Sequence, residues 1–185
     1  MARLLVRAVL TLIAGLISLS AHANITCNNA SGAGQVLTAG TISVPQNAAV
    51  GSTISTLAPI TYTMQCAFTN SGSLDTSATN TANFATTAAL ASGTDVYATG
   101  ISGLGVRYTF NSTACNAANV VMTNDAAAVT CSFTGPLGGA YTPAAITVTA
   151  QLVVTGTIKA GASTLTTALT VTINFKSSDS GNNWG

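Results

Sequence analysis

The stretch ALTVTINF (residues 168–175) decides the fold. Leu169, Val171, Ile173 and Phe175 fall on one side of an extended chain, and Thr170, Thr172 and Asn174 on the other. A period of two marks a strand with one buried face. Only KSSDSGNNWG (176–185) follows, a polar, glycine-containing tail without a strand pattern. What covers the apolar face of this strand, and what pairs with its edges, decides whether the domain stands alone or requires a partner.

Upstream, the same period recurs. PITYTMQCAF (59–68), GLGVRYTF (103–110) and AAITVTAQLVVTGTI (144–158) alternate, the last placing Ile146, Val148, Ala150, Leu152 and Val154 on one face. GQVLTAGTISV (34–44), AVGSTIST (49–56), NVVMT (119–123) and AVTCSF (128–133) read as shorter strands, and GPLGG (135–139) as a turn. Residues 69–95 are rich in Ser, Thr, Asn and Ala and read as a long polar connection, with at most a short strand near Phe84. Short alternating strands broken by Gly/Ser turns, with no clear helix and no internal repeat, predict an all-β sandwich.

The start of the chain sets the compartment. Arg3 and Arg7 precede an apolar run from Ala8 to about Leu19, followed by Ala21-His22-Ala23. This is the pattern of a secretory signal peptide, residues 1–23, with an A-x-A cleavage site; the apolar run is short for a span of ~20 residues. The domain is expected over 24–175 and a polar tail over 176–185.

Without the leader, no histidine remains, and the chain carries no glutamate. Arg107, Lys159 and Lys176 face Asp75, Asp95, Asp125 and Asp179. So few cations form no basic patch for phosphates, which argues against nucleic acid. Absence of His removes the Ser-His-Asp and Cys-His arrangements and the usual zinc ligand sets. The Asp residues sit in Ser/Thr/Asn-rich sequence without a glycosidase motif. No enzyme, no cofactor and no metal site is expected.

Cys27, Cys66, Cys115 and Cys131 in an exported chain imply two disulfides with three possible connectivities. Sequential pairing, Cys27–Cys66 and Cys115–Cys131, is the most economical. Cys66 shares a face with Tyr62, Met64 and Phe68, and Cys131 with Val129 and Phe133.

Together these residues resemble the type 1 pilin-like subunits of chaperone–usher fimbriae. The features are the spacing of Cys27 and Cys66, GLGVRYTF with its Gly-x-Gly-Val opening, ISVPQNAAVGSTI, and the closing LVVTGTIKAGASTLTTALTVTINF. The resemblance implies an immunoglobulin-like sandwich lacking its last strand and completed by strand addition. Leu169, Val171, Ile173 and Phe175 would then line a groove filled first by a periplasmic chaperone and, at the outer-membrane usher, by a neighbouring fimbrial subunit. The same side chains would be ordinary core in a complete sandwich.

Only Asn24, Ile25 and Thr26 stand between the leader and Cys27, spanning ~10 Å at ~3.3 Å per residue. That is too short to donate a strand, so the resemblance implies a tip or adhesin-type subunit at the cell surface, accepting but not giving a strand. Sugars are commonly held by an aromatic face with Asp/Asn hydrogen bonds. On that ground Asp75, Asn83, Phe84, Asp95 and Tyr97, with Asn80 between them, are candidate contacts for a host glycan or surface receptor. A free-standing secreted carbohydrate-binding sandwich and an archaic spore-coat-U-type pilus subunit are the competing readings.

Overall fold

In a computed structural model, the structure describes residues 25–29, 37, 42–45, 47–68, 77–134, 144–158, 172–179 and 182–184. Among them are twelve strands and no helix. They form two antiparallel sheets, one of eight strands and one of four.

The spine of the larger sheet is the strand the sequence marks most clearly. β10 (Ala144–Val154) pairs on one side with β7 (Leu104–Ser112) over Thr147–Val154. On its other side it pairs first with β3 (Ile60–Phe68) and then with β2 (Thr53–Thr56). β1 (Ile25–Asn29) lies outside β3, in a register that sets Cys27 opposite Cys66. β5 (Leu90–Ser92) and β6 (Val96–Ala98) extend the sheet beyond β7, and β8 (Ala117–Val121) also pairs with β7. The smaller sheet is β12 (Asn182–Trp184), β11 (Thr172–Asp179), β4 (Ser77–Ala85) and β9 (Ala126–Thr134), in that order.

The core lies between the sheets because alternate residues of each point inward. Ile146, Val148, Ala150 and Leu152 of β10, Val106, Tyr108 and Phe110 of β7, and Tyr62 and Met64 of β3 come from one side. Ala82 and Phe84 of β4 with Val129 and Cys131 of β9 come from the other. Phe84 contacts Tyr62 edge-on at 6.0 Å between centroids and stacks on Phe110 at 4.2 Å. Aromatic contacts of this kind contribute ~0.5–1.5 kcal/mol beyond their area burial.

Residues 69–95 depart from the sequence reading. Instead of one polar connection they supply β4, the strand that β9 and β11 flank, and β5. The buried face of β4 is Asn80, Ala82 and Phe84, so polar and small residues occupy core positions and mask the alternation. The polar tail also differs from expectation: β11 runs past Phe175 to Asp179, and β12 folds back so that Ser177 pairs with Trp184. The Ser-Gly dipeptide between them in the sequence is a turn signal. Of the early segment 34–44, Leu37 is buried in the core, and residues 42–44 form no strand.

Two turns explain themselves chemically. Asn124 and Asp125 both have positive φ, 50° and 68°, and Thr123 and Ala126 exchange backbone hydrogen bonds at 2.9 and 3.2 Å. This two-residue link has the signs of a type I′ turn, for which Asn and Asp are suited. At Gly103 (φ 79°) an added Cβ would lie 2.6 Å from the Thr157 carbonyl oxygen, and at Gly105 it would strike Val96 and Thr155. The Gly-x-Gly opening of the 103–110 motif thus serves close packing of β7 against its neighbours.

Candidate functional site

The residues singled out from sequence do not form one site. Asp75 lies outside the described residues, as do Leu169 and Val171 of the expected groove. Phe84 and Tyr97 are 1% and 0% exposed, so neither ring offers a face to a ligand. Both belong to the core, a correction to their reading as surface contacts. For Phe84 the reason is β4, since a strand buries every second residue, which an irregular polar loop would not; Tyr97 lies in β6, its ring 6.0 Å from that of Tyr108. Asn80 is likewise buried, while Asn83 is half-buried on the opposite face of β4, in register with Asn174.

Asp95 and Tyr97 have structural partners. The Arg107 Nε donates to Asp95 Oδ2 at 2.7 Å, pairing a cation and an anion that are both partly exposed. The Tyr97 hydroxyl accepts from the backbone N–H of Asp125 at 3.0 Å, and Asn124 N donates to Thr94 O at 2.9 Å, so the β8–β9 turn docks beside the β5–β6 turn. Burial raises the Tyr97 phenol above its ordinary range, more than the Asp125 hydrogen bond lowers it.

Ile173 and Phe175 stand in register opposite Phe84 and Ala82. Among the described residues, the edge of β11 away from β4 carries ladder pairs only at Ser177–Asp179, with β12.

Among the described residues, a concavity lies elsewhere, between the end of β7, the following turn and the start of β10. It is an open cleft of about 690 Å³ lined by Asn111, Ser112, Thr113, Asn116 and Thr147, with Ala114, Ala117, Ala118 and Ala145. Its wall is pinned covalently, since Cys115 in the turn is bridged to Cys131 of β9. Ser112 Oγ donates to Ala145 O at 2.7 Å, and Asn119 N donates to Asn111 Oδ1 at 2.7 Å. Asn116 and Asn119 both take φ of 51°, a conformation Asn tolerates better than most side chains. The cleft opens onto the outer face of the larger sheet, where Thr147 pairs with Asn111, Thr149 with Thr109 and Gln151 with Arg107.

Sequence reading passed over this cleft because its residues come from a turn and two strand ends that only the register unites. The clue present was the density of small polar residues around Cys115 in NSTACNAAN (111–119). None of the lining residues is ionisable, so the chemistry offered is hydrogen bonding and methyl contact. That is the chemistry of a binding surface.

The two antiparallel sheets and their uncharged cleft make a β-sandwich domain, and residues 36–175 match the family described as MrkD-like receptor binding domain. The chain belongs to that family, which is one of receptor binding and not of catalysis. Among solved structures, it is similar to the CupB6 tip adhesin from Pseudomonas aeruginosa, with TM-score 0.50, 16% identity, and coverage of 85% of this chain and 42% of that one. This chain therefore spans less than half of that protein's structure. It also matches the receptor binding domain of the plasmid-born adhesin MrkD1P of Klebsiella pneumoniae, with TM-score 0.43, 21% identity, and coverage of 72% and 75%. No curated protein sequence matches the chain.

Proposed function

We propose that this chain is the receptor-binding domain of a fimbrial tip adhesin, exported through the periplasm and displayed at the cell surface by chaperone–usher assembly. The observation that carries the reading is the match of residues 36–175 to a receptor-binding family. The likeness of the fold to a tip adhesin and the secretory pattern of residues 1–23 support it. A periplasmic chaperone, an outer-membrane usher and a neighbouring fimbrial subunit are then the assembly partners. Strand addition would use β11, the strand that carries Ile173 and Phe175 of the expected groove. Ile25–Asn29 is engaged with β3 as β1, which supports a subunit that does not donate its own N-terminal strand. A Cys27–Cys66 bridge fits the register that sets these residues opposite each other.

Co-expression with a matched chaperone and usher in a non-adherent host tests this. The expected result is labelling at fibre ends by an antibody to this chain, with adhesion to host cells that the purified mature chain competes. Labelling along the shaft, or adhesion that the mature chain leaves unchanged, would overturn it.

A further inference from the structure

We draw no further inference here: the strongest candidate, the surface patch at the outer edge of the larger sheet where β5 leaves Leu90 exposed, carries none because nothing in the structure shows what covers it.

Discussion

Phe84 of β4 and Phe110 of β7 stack across the two sheets, centroids 4.2 Å apart and planes 30° from parallel. Both are fully buried, and Phe84 also meets Tyr62, so one ring ties three strands together. Truncating a buried Phe to Ala costs roughly 3–5 kcal/mol, from lost transfer energy and the cavity left behind. Phe84→Ala should therefore remove a large part of a marginal total stability of ~5–15 kcal/mol. Urea unfolding of the mature chain should show the midpoint falling steeply with little change in slope. A midpoint within error of the parent would mean that β4 does not close the core.

Gly103 and Gly105 make a second, local test. Gly103 has φ 79° and lies against the Gly156–Thr157 backbone, and Gly105 lies against Val96, Thr155 and the Tyr97 carbonyl. An alanine at 103 meets both an unfavourable φ and a backbone clash that no side chain can relieve. Crowding at 105 acts through packing alone, at ~1–3 kcal/mol. Gly103→Ala should lower the melting temperature more than Gly105→Ala. By contrast Gly51→Ala, with nothing within 4 Å of the added carbon, should show only the cost of its φ of 87°.

Much of the fold was legible because large apolar residues alternate in β3, β7 and β10, and a period of two can hardly be mistaken there. β4 was not legible: Asn80 and Ala82 fill core positions beside Phe84, and the outward Thr79, Thr81 and Asn83 look no different in sequence. Treating that segment as a loop made Phe84 look like a sugar contact, and the short β6 hid the burial of Tyr97 in the same way. The cleft was hidden for another reason. Asn111 and Thr147 face each other only through the β7–β10 register, which joins segments far apart in the chain. Single-sequence patterning carries no information on such pairings, whereas Arg107–Asp95 was at least a pair of rare charges within one region.

Alkaline pH offers a third test. Burial pushes the Tyr108 phenol up to about 12, with the neighbouring Tyr97 adding to the effect, and burial also raises Tyr62 and Tyr97. An unfolded tyrosine ionises near pH 10, so between ~10 and ~12 the folded state holds more protons than the unfolded state. Stability is then complete below pH ~10 and declines as pH rises through that window. Ionisation delayed from pH ~10 to about 12 makes Tyr108 the source of roughly 2–3 kcal/mol. Urea midpoints measured from pH ~8 upwards should be flat at first and fall beyond ~10, while tyrosinate absorbance lags in the native protein. Tyr108→Phe should flatten the fall, and an identical pH dependence in that variant would show that Tyr108 is not its source.

The Cys115–Cys131 bridge links stability to the cleft. It closes a loop with a sequence separation of 16, joining the turn after β7 to β9. On the chain-entropy account a loop of this size contributes about 3 kcal/mol, by restricting the unfolded chain. The two sulfur-bearing residues are buried, at 8% and 0% exposure, so mild thiol reductants should not reach them in the folded protein. The double substitution Cys115→Ala/Cys131→Ala should lower the urea midpoint by an amount equivalent to ~2–4 kcal/mol. It should also loosen Ser112–Asn116, so receptor binding should fall by more than global unfolding explains at temperatures where the variant remains folded. Hydrogen exchange would report this directly, with faster exchange at the amides of position 115 and Asn116, which in the parent bond within the turn at 3.3 and 3.2 Å. Exchange in β3 and β10 should keep its protection relative to the new, lower global stability. If the turn exchanges as in the parent and binding is unchanged, the bridge serves the sandwich alone and the cleft does not depend on it.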